Sequence, residues 1–492
     1  MSGVAVCPAL GSLRAALVRA GVASAGTVLV GVAFLGRYGW DRDELYFLSA
    51  SKRPTWGYVD FPPLAAWLGW GVRQLAGDSL VALRSISLVS GVGTTVFVVL
   101  IARELGGGRF GQLVAGFAWS LSPYVLGSAS IFHPTWLDAL AWSAVVYLAT
   151  RILVRPQPHL WPVLGIVAGI GLEAKYTMAF LLAGLGLALL LFDRRLLRTG
   201  GPWVALALAV ALLVPNLVWQ AQHGWPSVEF ASSQNAKSAA DTPPATYVIE
   251  QVLFLGGVVA LAVVGVVWLW RHRLRTLGAL PVILFVVFLV ERGRAYYAMP
   301  VYVVAVAAGG VALEQARRRG RWVALVAVFQ LAVCVVAVPA IVPVLPERLL
   351  ISTGEWKVGF FKDEIGWPEL TNQTEAVWRS LPAAERARGA VLAGNYGEAA
   401  ALEHYGHNEL PLVLSGHLSW QYWRPRRLPQ RYLVTVGIDP AMLETLCRTW
   451  HVKATIDNHA HLDNEERGRT IDSCTLRLPL GADWPRIASN TL

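Results

Sequence analysis

Residues 40–67 read WDRDELYFLSASKRPTWGYVDFPPLAAW and set Asp41, Asp43, Glu44 and Asp60 among aromatic side chains and a twin proline. Carboxylates held together and partly screened from water are the groups that take protons in transfer reactions. Asp43 follows an apolar run closely, which places it at the rim of whatever that run builds, where it could act as a general base. A plainer reading stands beside this one. Asp41, Asp43 and Glu44 would also suit a solvated loop or a helix cap, because acidic residues favour helix starts. Residue types alone leave both open.

Further ionisable residues interrupt apolar sequence. Asp138 in HPTWLDALAW falls about a turn inside an apolar run, where it marks either a functional site or a satisfied interhelical hydrogen bond. Lys175 lies beside Glu173, as a local ion pair or as a cation for a substrate. Arg292 and Arg294, just before Tyr296, suit a phosphate, which arginine engages through two donors, or an interfacial anchor. His133 reads as a loop histidine. Asp457, His459, His461 and Asp463 alternate in IDNHAHLDNEE, a spacing that fits a solvated loop better than a metal centre. RELGGGRFG reads as a tight turn, and no glycine-rich phosphate cradle for a nucleotide sugar is visible. These residues call for no cofactor and present no metal ligands, and leave open whether a divalent cation assists.

The elements that must position these groups are membrane helices. The chain has 492 residues, 55% hydrophobic and 15% charged, with mean hydropathy +0.48. Soluble proteins carry about 25% charged residues. Long apolar runs recur at 16–36, 84–102, 110–128, 135–150, 160–173, 176–192, 202–219, 247–270, 277–291, 297–314 and 322–345, which predicts about eleven spans. No small-residue cleavage site follows the first run, which is expected to stay as a span. The net charge of +10 sits in arginine clusters between runs, at 14 and 19, 103 and 109, 151 and 155, 194–198, 271–275 and 317–321. That pattern excludes a nucleic-acid face and marks cytoplasmic connections. Past the first loop, the alternate connections hold only Lys175, Lys237, Arg292 and Arg294. The N-terminus is then cytoplasmic, and the region after 345 lies outside the cytoplasm.

Two parts follow: a transmembrane part over 1–345 and an extracytoplasmic soluble part over 350–492. In the second, short apolar runs at 390–394, 410–414 and 431–437 alternate with helix-like sequence such as 369–388, predicting a small α/β or α+β domain. Cys447 and Cys474 fall there, as a disulfide or as two inert thiols, while Cys7 is cytoplasmic and Cys334 lies in a span. The first outer loop, 37–84, is long enough for two amphipathic interfacial helices, with Trp56, Tyr58, Trp67 and Trp70 at headgroup depth and Pro62–Pro63 starting the second. The polar loop 220–246 could cover a site on the outer face.

The stretch RYGWDRDELYFLSASKRPTWGYVDFPPLAAWLG resembles the first external loop of glycosyltransferase family 39, whose members are bacterial relatives of the protein O-mannosyltransferases. EAKYTMAF, PNLVWQAQHGWPSVEF, GRAYYAMPVY, GNYGEAAAL, SGHLSWQYW and DNEERG follow in the family's order and cover nearly the whole chain. The resemblance implies an α-helical polytopic membrane protein of the type C glycosyltransferase fold. It also implies a polyprenyl-phosphate sugar donor, a site on the outer face and an extracytoplasmic acceptor. The family's acidic pair falls on Asp43 and Glu44, with Asp43 as general base in a single, inverting displacement. Asp60 matches an acidic position before the twin prolines. In the lipid A aminoarabinose transferase branch that motif reads Glu-Lys-Pro-Pro. Here Phe61 stands at the lysine position and cannot pair with phosphate, so a cation must come from elsewhere: Arg294, Arg292 or Lys175. Substrate contacts are thus expected from Asp60, Asp138, Lys175, Arg292, Arg294 and Tyr296.

Two rival classes remain on the sequence. A transporter or lipid flippase would have comparable spans, but such proteins place ionisable groups near the midplane and often repeat their halves, whereas here the acids gather at one rim and no repeat is seen. An envelope scaffold with a glycan-binding outer domain would also account for SGHLSWQYW.

Overall fold

All eleven apolar runs form helices, and where they differ from the expected spans the cause is a proline or a glycine. The computed structural model describes residues 12–241, 243–316, 319–353, 360–406, 409–429 and 431–489; Cys7, Arg317 and Arg318 fall outside these. Helix α1 (Leu13–Phe34) starts at Ser12, whose hydroxyl accepts the Ala15 N–H. Two short helices follow, α2 (Arg42–Ser51) and α3 (Leu64–Ala76), and then the long α4 (Leu80–Glu104). The run 110–128 yields α5 (Arg109–Ser120) and a separate turn, α6 (Pro123–Leu126), because Pro123 has no N–H with which to continue a helix.

Next come α7 (Pro134–Val154), α8 (Leu160–Ala174), α9 (Met178–Phe192) and α10 (Gly201–Gln222). The expected outer loop 220–246 is largely a helix, α11 (Pro226–Asp241), with proline at its first position and Glu229 in its first turn. The run 247–270 is not one span. It breaks into α12 (Pro244–Leu255) and α13 (Val258–Arg271), bent by 98°. Gly256 sits at the break with φ of 61°, a conformation side chains disfavour. Helices α14 (Arg275–Val290), α15 (Tyr302–Gln315) and α16 (Arg319–Ile341) complete the bundle.

By length and hydropathy α1, α4, α7, α10, α16 and the segment Ala295–Gln315 can each cross a bilayer, as can the bent pair if taken as one; α8, α9 and α14 are shorter apolar helices. The protein is a multi-pass membrane protein. Its centre is α15, where Val303 to Ala308 are wholly buried. Gly265 and Gly309 let α13 and α15 touch backbone to backbone: a Cβ on Gly265 would lie 1.8 Å from the Ala305 carbonyl oxygen.

After α17 (Glu347–Thr353) the chain builds a sheet domain with α18 (Trp367–Ser380), α19 (Ala383–Arg386) and α20 (Tyr396–Tyr405). Its strands are β1 (Gly389–Ala393), β2 (Val413–Ser415), β3 (Tyr432–Val436), β4 (Cys447–Thr455) and β5 (Thr470–Leu476), ordered β2-β1-β3-β5-β4. The first three are parallel, and β5 and β4 join antiparallel. The three runs read as strands are β1, β2 and β3. Cys447 and Cys474 form a disulfide between β4 and β5. The remaining helices are α21 (Pro440–Leu446) and α22 (Leu480–Ser489).

The first loop belongs by packing to this domain. Trp40, Leu45, Tyr46, Phe47 and Leu48 share one hydrophobic cluster with Trp367, Leu370, Val391 and Val434. Helix α2 is therefore not an interfacial helix: every residue from Glu44 to Ser51 is buried. Tyr58 is not at headgroup depth either, being wholly buried and stacked on Phe61 with ring centroids 4.5 Å apart. Trp56, Trp67 and Trp70 are 50%, 40% and 47% exposed, as an interfacial belt requires.

Candidate active site at the first loop

The start of α2 sorts the two adjacent acids. Asp41 caps the helix by accepting the Asp43 N–H at 2.8 Å, and Glu44 reaches back to accept the Asp41 N–H at 2.9 Å, a reciprocal capping box. With the helix start fixed, consecutive side chains diverge by about 100°. Asp43 and Glu44 therefore face different surroundings.

Glu44 faces inward and has no exposed surface. Its two oxygens accept from Arg84 Nε and Arg84 Nη2, both at 2.8 Å, and from the Phe132 N–H at 2.7 Å, besides the cap. Arg84, likewise wholly buried, also donates to the carbonyls of Leu35, Arg37 and Gly39 and to Glu364 at 3.2 Å. Two carboxylates share one guanidinium. Burial lifts the Glu364 carboxyl to about 8, with Arg84 pulling it down and Glu44 pushing it up. The sequence pairs Glu44 with Asp43 in chemistry; the structure turns it away from Asp43 and saturates its hydrogen bonds.

Asp43 faces a cleft and its side chain is 38% exposed. Tyr396 at the start of α20 donates its hydroxyl to Asp43 Oδ1 at 2.6 Å. Burial first, and then the Asp43 charge, hold the Tyr396 phenol well above its usual range, so it stays a donor. His133 Nε2 lies 3.8 Å from Asp43 Oδ2. His133 Nδ1 accepts the Thr135 N–H at 3.1 Å as the cap of α7, so the ring proton sits on Nε2, facing Asp43. Burial lowers this imidazole to about 3, aided by Lys175. It meets Asp43 as a neutral ring.

Two cations lie within the field of Asp43. Lys175, between α8 and α9, donates to Thr135 Oγ1 at 2.8 Å and lies 4.9 Å from the ring centres of Tyr296 and Tyr297. Arg294 precedes these tyrosines, and the Asp43 charge acts on both Lys175 and Arg294. Arg292 stands two residues earlier, exposed, on backbone with φ of 51°. Asp138 does not line the cleft: it is 4% exposed and accepts the Thr177 hydroxyl at 2.6 Å, underpinning the Lys175 turn.

Asp60 lies on the aromatic side. Its Oδ1 accepts the Tyr46 hydroxyl at 2.8 Å, and Tyr46 in turn accepts the Ser419 N–H at 3.1 Å. Burial raises Asp60 to about 7, against the opposing Tyr46 hydrogen bond. Phe61 packs edge-on to Tyr46 and Phe47. Helix α2 is fastened to α20 through Glu403, which accepts from Ser49 at 2.7 Å, from Lys52 at 3.2 Å and from Arg53. Sequence reasoning misses Tyr396, although GNYGEAAAL contains it, and takes Arg84 merely as the edge of a span. His459 is held between Glu347 and Glu369, and the described residues contain no cluster of three or more metal-ligating side chains.

A family model described as dolichyl-phosphate-mannose-protein mannosyltransferase matches residues 60–219. The lipid A galacturonosyltransferase RgtD of Rhizobium johnstonii is 25% identical over 187 residues, 37% of this chain and 38% of that protein. The lipopolysaccharide core galacturonosyltransferase RgtA of the same organism is 30% identical over 220 residues, 43% of each chain. These matches span less than half the length of the curated relatives. The crystal structure of ArnT from Cupriavidus metallidurans bound to undecaprenyl phosphate aligns over 94% of this chain and 98% of its own, with a TM-score of 0.57 and 16% identity. The resemblance to family 39 is borne out by the family model over residues 60–219, and the fold is the type C glycosyltransferase fold shared with ArnT.

Proposed function

We propose that this protein is a membrane glycosyltransferase that moves a sugar from a polyprenyl-phosphate carrier to an acceptor on the outer, non-cytoplasmic face. The observation that carries the reading is the set of charges around Asp43. A partly exposed carboxylate, Asp43, stands opposite two cations, Lys175 and Arg294, at the end of the bundle that carries the sheet domain. The likeness to ArnT, a protein crystallised with undecaprenyl phosphate, and to lipid A and core galacturonosyltransferases supports the same donor class here.

The chemistry needs one base and positive charge. Asp43 accepts the proton of an acceptor hydroxyl as that oxygen attacks the anomeric carbon. The bond from that carbon to the phosphate oxygen breaks, and the polyprenyl phosphate departs with one more negative charge than it had as a diester. Lys175 and Arg294 stabilise this charge as it develops, so no acid is required for the leaving group. A single displacement inverts the anomeric centre. Tyr396 orients the carboxylate, and neutral His133 borders it without competing for the acceptor's proton. Glu44 takes no part in proton transfer in this scheme.

Asp43→Asn tests it, since the amide keeps the shape and can still accept from Tyr396. Loss of a general base removes about 10²–10⁴-fold in rate. The variant should retain its melting temperature and donor affinity while transfer from lipid-linked sugar falls by that factor. Transfer at the wild-type rate would overturn the assignment.

A further inference from the structure

The β2–β3 connection, which starts near Tyr46 and ends at the opposite end of the parallel strands, carries arginines that form no ion pair with a described residue. It leaves the site at Ser419, whose N–H meets Tyr46, and passes Trp423, whose ring lies 5.9 Å from that of Tyr46. It then runs as RPRRLPQR to Arg431, which directly precedes β3. Arg388 directly precedes β1, which is parallel to β3. Tyr396, the partner of Asp43, follows the other end of β1. Strands rise about 3.3 Å per residue, so the connection climbs the length of both strands, away from α2 and α3.

At that end Arg388, Arg424, Arg426, Arg427 and Arg431 line one groove of about 580 Å³. All five are exposed, and none forms an ion pair with a described residue. Two are held by rings instead: Arg424 lies 5.2 Å from the ring centre of buried Trp484, and Arg431 lies 5.7 Å from that of Tyr432. Five like charges crowded together repel one another and weaken the fold. Arginine forks match carboxylate and phosphate geometry. The groove lies at the end of β1 and β3 remote from Tyr396 and the first loop.

We propose that this groove binds a polyanionic glycan, a polysaccharide bearing carboxylates or phosphates, and guides it along the connection toward Asp43 as the acceptor. Its role as acceptor rests on the transferase reading; the binding does not.

The test uses the full-length protein in detergent micelles. Polygalacturonate is the carboxylate probe and neutral dextran the control, with vesicles of phosphatidylglycerol or phosphatidylcholine as the lipid arm. Wild-type protein should bind polygalacturonate and not dextran, more weakly as salt rises. The triple variant R388Q/R426Q/R427Q should bind about tenfold less tightly, the sum of three exposed charge contacts. Arg426→Glu alone should weaken binding severalfold at a fully solvated position, which covers the case of a triple variant that folds poorly. Asp43→Asn should bind the probe as wild type does, so a failed catalytic assignment and a failed groove give different results. Equal binding of dextran, or unchanged polygalacturonate binding by the variants, would overturn the proposal. So would a loss confined to phosphatidylglycerol vesicles, which would make the groove a lipid contact.

Discussion

Asp43 and Glu44 are adjacent in sequence, carry the same functional group and sit in the same turn of α2, yet one lies in a knot and the other in a cleft. In the knot, Glu44, Arg84 and Glu364 exclude water and fill one another's hydrogen-bonding capacity. In the cleft, Asp43 keeps an open side, and its neighbours are a donor, a neutral imidazole and two cations. A carboxylate whose lone pairs are all engaged cannot take a proton from a substrate, whereas one that is oriented but incompletely engaged can. Residue type does not separate the two roles. Position relative to the helix cap does.

The knot should respond to mutation through stability. Arg84→Met leaves Glu44 and Glu364 buried without their cation, and breaking such a pair costs about 3–5 kcal/mol. Thermal unfolding in detergent should show a larger loss for this variant than for any substitution in the cleft. Activity should fall only with the folded fraction. A variant with wild-type melting temperature and reduced transfer would put Arg84 in the chemistry and erase the distinction between knot and cleft.

The cleft should respond through kinetics. Lys175→Met retains the aliphatic stem against Tyr296 and Tyr297 but removes the ammonium. Charge-assisted hydrogen bonds contribute about 1.5–3 kcal/mol, so the KM for the polyprenyl-phosphate sugar should rise about 10–100-fold. The melting temperature should move little. Steady-state rates across donor concentrations separate this from a loss in kcat. A KM that does not change would leave Arg294 as the sole phosphate contact.

Much of this arrangement was legible because it is local or carried by ordered motifs. Apolar runs gave the helices, and the short strand-like runs of the last third became β1, β2 and β3. The motifs quoted for the resemblance converge in space: Lys175 from EAKYTMAF, Arg294 from GRAYYAMPVY, Tyr396 from GNYGEAAAL and Ser419 from SGHLSWQYW all meet at the loop that holds Asp43 or its neighbours. What stayed hidden depends on pairings distant in sequence. Arg84 could not be matched to Glu44 and Glu364, 40 and 280 residues away, and at the end of an apolar run it reads as an interfacial arginine. Helix α2 passes for amphipathic until the sheet domain covers its polar face. Tyr58 has the composition of an interfacial aromatic, and Phe61 together with the cover from the sheet domain buries it. Glycine pairs such as Gly256–Gly257 bend a run that hydropathy reads as continuous.

Asp60 shares features of both regions, being desolvated like Glu364 but hydrogen-bonded to the Tyr46 phenol and not to a cation, and its titration offers the finest test. Burial raises its carboxyl to about 7 in the folded protein, whereas an unfolded chain releases that proton near 3.9. Between those values the folded state binds more protons than the unfolded one, so stability declines as pH rises through the window and levels off above about 7. Glu466, raised to about 7, and Glu364 and Glu398, raised to about 8, add slopes of the same sign. Asp60→Asn removes one share of that slope while keeping an acceptor for the Tyr46 hydroxyl. The variant should therefore melt a few degrees above wild type at about pH 7.5 and together with it at about pH 4.5, and scanning both proteins across that range in one buffer series reads the difference. Parallel curves would mean that Asp60 is ionised throughout and belongs with Asp43 in the solvated cleft. Converging curves at low pH would place it with Glu364, as a carboxyl that folding keeps neutral.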